Sequence, residues 1–347
     1  MELFHNDYNQ LCHPAVMEKM MHTMPEQQPG YGEDPYCEAA AQKIRKVCKN
    51  ENVAVHFLVG GTQTNLTVIA ASLRPHQGVL GADTAHINVH ETGAIEATGH
   101  KVITLPTKDG KICADDIRDF VRLHRTSADA EHMAQPKMVY ISNPTEMGTI
   151  YYLEELLAIS DVCHELGLYL FVDGARLGYG LTASDNDVTM EDLARLCDVF
   201  YIGGTKVGAM FGEAVVISNP NIGEDFRYLI KQHGAMLAKG WTLGLQFDAL
   251  FENDLYFQIS RHANDCAQKI RSTLKNLGVP MLTRTTTNQL FPILQDAVLD
   301  DLGKYFTFTE MGRVDETRRA IRFCTSWATS VESVDRLCDK LTELIGK

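Results

Sequence analysis

No window of this 347-residue sequence approaches the roughly 18 to 20 uninterrupted apolar residues that a membrane span requires. A helical membrane protein is excluded on that ground, and a soluble one is expected. The segment Met1 to Asp7 has neither a basic region nor an apolar stretch, so it does not read as a secretory leader, and cytoplasmic residence is the expectation. The nine cysteines stand singly, without a Cys-x-x-Cys pair, which suggests neither a disulfide framework nor a zinc site and leaves small core filler as their expected role. Neither a Walker loop nor a Gly-x-Gly-x-x-Gly fingerprint occurs, so nucleotide binding and nicotinamide chemistry lack support. Positive charge is in deficit. A formal net charge of −13 repels nucleic acid and anionic membranes at long range, although a local basic pocket can still hold one phosphate. Internal repeats and low-complexity tracts are also lacking.

Apolar residues at 45% and charged residues at 22% are ordinary globular usage. At this length, one large and one smaller domain are expected. Asp34 followed by Pro35 gives an N-cap and a first helical position, predicting a helix over 36–49. From Val53 onward, short β-branched runs alternate with helical patterns: strands near 53–58, 78–81, 101–105, 137–141, 168–172, 197–202 and 214–217, and helices near 62–73, 114–125 and 153–166. This alternation predicts an α/β fold with a mostly parallel seven-stranded sheet covered by helices on both faces. Long helices are expected over 225–276, and a smaller α+β unit ending in a helix over 331–345. The expected division is a large domain over 1–250, with an arm over 1–30, and a small domain over 251–347.

Four signals fall at carboxyl ends of predicted strands, where such sheets place their ligands. Gly60–Gly61–Thr62–Gln63 follows a strand and opens a helix, so its amides can meet a phosphate closely. In Phe171–Val172–Asp173–Gly174–Ala175–Arg176, a strand ends in an acid with an arginine three positions on, able to pair with a protonated ring nitrogen and with a phenolate or carboxylate. Lys206 sits among Gly203, Gly204 and Gly208, with room for a flat ring on its side chain and an amine open to imine formation once desolvated. His86 and Glu91 stand just past a strand; an imidazole can lie flat on a pyridine ring and exchange protons near neutral pH.

Jointly these segments resemble the threonine aldolases of the β-eliminating lyase group, pyridoxal 5'-phosphate (PLP) enzymes of fold type I. The likeness runs from Asn6–Asp7 through Tyr31–Gly32–Glu33–Asp34–Pro35, 83–91, 173–176 and 203–206 to Arg322–Phe323–Cys324–Thr325–Ser326. The resemblance implies that Lys206 carries PLP as a Schiff base, His86 stacks on its ring, Asp173 pairs with its nitrogen, and Arg176 contacts cofactor or substrate carboxylate. Glu91 joins the catalytic set. Gly61, Thr62 and Gln63 match the phosphate turn, while Asn6 and Arg322 match positions that take the substrate carboxylate. The resemblance further implies a homo-oligomer, a dimer of dimers, with Tyr31 and a basic residue such as Lys231 or Lys239 serving a neighbour's site.

One departure is visible. Many members carry a second histidine in a Glu-Asn-Thr-His-Asn segment, and here the stretch reads Ser142–Asn143–Pro144–Thr145–Glu146–Met147–Gly148. Low-specificity and phenylserine-type aldolases resemble the sequence better at this point. The implied reaction is retro-aldol cleavage of a β-hydroxy-α-amino acid to glycine and an aldehyde; β-elimination or racemisation on the same scaffold stays open, since fold alone does not select among them.

Overall fold

The computed structural model describes residues 1–346. Seven strands form the main sheet: β1 (Ala54–Leu58), β2 (Gln77–Ala82), β3 (Lys101–Leu105), β4 (Gln135–Ser142), β5 (Tyr169–Asp173), β6 (Val199–Gly203) and β7 (Glu213–Ile217), in the order β1-β7-β6-β5-β4-β2-β3. Neighbours run parallel from β6 to β3, while β7 is antiparallel to both β6 and β1, so the sheet is mixed with one reversed strand. Strands β2, β6 and β7 are buried along their whole length, as expected where helices cover both faces. No helix among the described residues is long and apolar enough to cross a membrane.

The helix expected over 36–49 spans Pro35–Cys48, and the Asp34 side chain caps it by accepting from the Cys37 amide. The run expected as long helices over 225–276 is broken into Phe226–Gln232, Trp241–Leu250 and Leu255–Asn276. Gly234, at φ 72°, turns the chain after the first of these, and the backbone at Gly240 lies too close to Gly32 for any side chain.

A second, smaller core gathers Phe4, Cys266, Ile270, Phe306, Phe323 and Leu337. It packs under strands β8 (Gln289–Leu290), β9 (Ile293–Gln295), β10 (Thr309–Arg313) and β11 (Arg318–Cys324), with β11 pairing antiparallel to each of the other three. The helix Leu255–Asn276 serves both units, giving Tyr256, Ile259 and Ala263 to the large core and Cys266, Ala267 and Ile270 to the small one. The N-terminal segment does not lie loosely on the surface. Glu2–Leu3 pairs in parallel with Phe306–Thr307, and the Cys324 amide donates to the Phe4 carbonyl over 2.7 Å.

Two features bring the carboxyl ends of β5 and β6 into register. The Gly203 amide donates to the Gly174 carbonyl over 2.9 Å, tying the turn after β5 to the end of β6. The approach is close enough that a Cβ on Gly174 would stand 1.9 Å from the Tyr201 carbonyl oxygen. Replacing Gly174 by alanine is therefore expected to destabilise the protein by about 3 kcal/mol, the upper range for overpacking a tight site. Urea unfolding should show a lower midpoint at unchanged slope.

Candidate active site

Asp173 ends β5 and is buried. Its Oδ2 accepts from the Tyr140 hydroxyl at 2.5 Å and from Asn65 Nδ2 at 3.1 Å, and its Oδ1 accepts from the Ala175 amide at 2.9 Å. Tyr201, on the neighbouring strand β6, adds a further hydrogen bond. Burial alone would raise this carboxyl's pKa. The His86 imidazole and the Tyr140, Tyr201 and Ala175 hydrogen bonds outweigh burial and hold it below the usual aspartate value, so Asp173 stays charged.

Asn65 links this acid to a second one, since its Nδ2 also donates to Glu91 Oε1 over 2.7 Å. The same Glu91 oxygen meets His86 Nδ1 at 2.8 Å, which orients the imidazole while Nε2 has no hydrogen-bond partner among the described residues. Asp173, Asn65, Glu91 and His86 thus form one hydrogen-bonded run across the carboxyl edge of the sheet. Asn65 reaches it because it lies in the first turns of the helix Gly61–Ser72, four residues on from Gly61. At that helix's start, Gly60 offers no side-chain cap, so the first amides, those of Gly61, Thr62 and Gln63, have no intrahelical acceptor and are free for an anion. A Cβ at position 61 would stand 3.2 Å from the Tyr201 hydroxyl, the same hydroxyl that serves Asp173.

Lys206 follows β6, and its Nζ takes part in no hydrogen bond or ion pair among the described residues. Burial and the Arg176 guanidinium push its pKa below the ordinary lysine value, against the pull of Asp7, Asp173 and Glu213. Glu213, at the start of β7, is pushed up to about 8 chiefly by burial, and its Oε2 accepts from the Gly204 amide at 3.0 Å.

The two arginines differ. Arg176 is held in a bidentate pair with Asp7, Nε to Oδ2 at 2.7 Å and Nη2 to Oδ1 at 3.0 Å, and Asn288 Nδ2 adds 2.9 Å to the same acid. Arg322 meets no carboxylate among the described residues. Its Nη1 donates to Gln289 Oε1 at 3.3 Å, its Nη2 to the His5 carbonyl at 3.1 Å and to Thr309 Oγ1 at 3.4 Å, and its Nε is buried without a partner. An uncompensated, partly sheltered guanidinium is a seat for an anion. Burial, followed by the positive charges of His86, Arg322, Lys206 and Arg176, holds His90 below the usual imidazole value, so these cations share one field.

Of the residues expected from sequence, His86, Glu91, Asp173, Arg176, Lys206 and Arg322 converge here, with Gly61, Thr62 and Gln63 beside them. Asn6 adjoins Asp7 and His5, and its Oδ1 accepts from the Tyr8 amide at 3.0 Å. Tyr31 stands apart, half exposed, with Lys231 Nζ 4.9 Å from its ring centre, and no hydrogen bond, ion pair or ring contact joins it to Asn6, Arg176 or Arg322. Lys239 is exposed in the connection between the helices Phe226–Gln232 and Trp241–Leu250. Sequence reasoning assigned no role to Asn65, Tyr140, Tyr201, Asp7, Asn288 or Glu213. Asn65 alone carried a usable signal, its helical spacing from Gly61.

Residues 10–297 match the family model for beta-eliminating lyases. The chain belongs to the β-eliminating lyase family. A low specificity L-threonine aldolase of Pseudomonas sp. is 31% identical over 96% of this chain and 94% of its own. A solved threonine aldolase of Leishmania major is 43% identical and superimposes with a TM-score of 0.97, over 99% of this chain and all of its own. Thermus thermophilus aspartate aminotransferase, 15% identical, superimposes with a TM-score of 0.71 over 99% of this chain and 91% of its own, a likeness of fold alone. The fold is that of fold type I PLP enzymes, as the sequence led us to expect.

Substitution of Asp7 by asparagine leaves the Arg176 charge buried and uncompensated, at a cost of about 3 kcal/mol. Arg176 and Lys206 lower the Asp7 pKa against burial, which raises it. With a folded value below the unfolded one of about 3.9, this stabilisation is fully present above roughly pH 4 and is lost as pH falls towards the folded value. Thermal unfolding should therefore show the gap between wild type and Asp7→Asn narrowing below about pH 4.

Proposed function

We propose that this chain is a PLP-dependent aldehyde-lyase that cleaves β-hydroxy-α-amino acids, of the threonine, allo-threonine and phenylserine type, to glycine and an aldehyde. The observation that carries the reading is the placement of an unpaired, pKa-lowered Lys206 amine beside a buried, ionised Asp173 at one sheet edge. The names of the relatives support the reaction type.

The residues present fit PLP. An uncapped helix start suits its phosphate, Asp173 suits a protonated ring nitrogen, His86 suits a stacking partner, and Lys206 suits the covalent anchor. When bound, PLP supplies an electron sink for the pair released at Cα. Arg322, with its partnerless Nε, binds the substrate carboxylate, assisted by Asn6, the residue that follows the His5 carbonyl held by Arg322. Arg176 reaches the same anion only through the edge that Asp7 leaves free, so its orientation is set by the N-terminal segment. Holding the substrate carboxylate at Arg322 would fix the orientation of the amino acid in the site, and orientation of that kind is what selects the bond to break.

The remaining assignments belong to the same proposal. The large domain runs to residue 250 with an arm over 1–30, the small one begins at 251, and the substrate lies between them. A homo-oligomer with Tyr31 and Lys231 or Lys239 lent to a neighbour accounts for their exposure away from this chain's own centre.

Borohydride reduction followed by peptide mapping is expected to leave the pyridoxyl label on Lys206, and Lys206→Ala should lose cleavage. Incubation with threonine, allo-threonine, phenylserine and serine should yield aldehyde and glycine; pyruvate without glycine would defeat the reading. Arg322→Gln should raise KM about 10- to 100-fold, the worth of one or two charge-assisted hydrogen bonds.

A further inference from the structure

Glu146 lies in the loop after β4, in the stretch where the sequence departs from the family's histidine-bearing segment. Its Oε1 is doubly anchored, accepting from the His86 main-chain amide at 3.0 Å and from Ser142 Oγ at 2.7 Å. The residue is half-buried, and the hydrogen bonds it accepts from His86 and Ser142 both fall on Oε1, with none to Oε2 among the described residues. One oxygen is therefore fixed to the turn that carries His86, and the other is free at the site. Ser142 Oγ also stands 3.5 Å from the Tyr140 hydroxyl, which donates to Asp173, so a run of polar contacts connects the two acids.

We infer that Glu146, through Oε2, is the catalytic base that takes the proton from the substrate's β-hydroxyl. This rests on the functional reading above and names a residue for a step that reading leaves without one. His86 suits the step less well: its Nδ1 is held by Glu91, and an imidazole lying flat on a ring points its nitrogens along that ring's plane, not towards a group standing out of it. In the step, the hydroxyl O–H bond breaks and its proton passes to Oε2. The O–H electron pair becomes the second carbon–oxygen bond of the aldehyde, the Cα–Cβ bond breaks, and its pair stays with the glycine fragment. The proton on Glu146 balances the one that fragment gains at Cα, so aldehyde and glycine together hold every substrate atom.

The electrostatic setting suits a base. Burial, followed by the Asp173 carboxylate, raises the Glu146 pKa, opposed by the Ser142 hydroxyl, its own amide and His86; Tyr140 and Tyr151 also face it. Two acids with pKa values driven in opposite directions are a common basis for dividing acid–base roles.

The test uses the PLP-loaded enzyme and the isosteric Glu146→Gln. Cleavage of phenylserine should fall about 100-fold or more in kcat, the range for losing a general base. Glycine, which has no hydroxyl, should bind with unchanged affinity by calorimetry. Infrared difference spectra, wild type minus variant, should show a carboxyl band that titrates above the ordinary glutamate value of about 4.3. Ser142→Ala removes a hydrogen bond to the ionised form and should move the acid limb of the kcat profile to higher pH, which a structural role would not do. Cleavage by Glu146→Gln within about threefold of wild type, or an acid limb unmoved by Ser142→Ala, overturns the inference and leaves the lyase reading intact. A wild-type protein that binds glycine but cleaves no β-hydroxy amino acid overturns both.

Discussion

A carboxylate deprived of water has to be supplied with hydrogen bonds from its surroundings, and the site is organised around that requirement at Asp173. A buried charge without partners would take up a proton instead. Tyr140 from β4, Tyr201 from β6, Asn65 from the helix Gly61–Ser72 and the amide of Ala175 converge on its two oxygens. Each belongs to a different element, so the acid stays ionised only when strand order, helix position and the turn after β5 are all in place. The flanking strands carry these groups because β4, β5 and β6 run parallel in register, Ser142 opposite Asp173 and Phe171 opposite Val199.

The same network explains why burying so many titratable groups is tolerable. Asn65 spends one amide nitrogen on two acids, Glu91 and Asp173, and Glu91 in turn holds His86. On the opposite flank the positive charges of Lys206 and Arg176 answer Asp7. The centre is a patchwork of opposed charges in low dielectric, where each group's protonation is set by its neighbours. Arg322 stands outside this compensation, with a buried Nε and no acidic partner among the described residues.

Much of this was legible in sequence because the signals are local. β-branched runs bounded by turns located β3 to the residue, and Asp34–Pro35 marked a helix start that the capping bond to Cys37 satisfies. Asp173 and Lys206 stood out because one closes a strand and the other follows one closely in a glycine-rich turn. What escaped was non-local. Nothing in Asn6–Asp7 announces that Asp7 will clasp Arg176, 169 positions away. Tyr140 reads as a core aromatic until the neighbouring strand brings Asp173 beside its hydroxyl. The helical run after 225 was overread because its apolar content is continuous, while the breaks are made by the left-handed backbone of Gly234 and by the close approach of Gly240 to Gly32.

The N-terminal segment has a bearing on how the molecule comes into being. Residues 4 to 7 meet Thr307, Asn288 and Arg322, contacts that span from 281 to 317 positions of the chain. Arg176 cannot be set by Asp7 in its final frame until Asn288 and β11 have left the ribosome, although Asp7 was made long before. Assembly of the corner where Asp7, Arg176, Asn288 and Arg322 meet is thus deferred to the last stage of synthesis.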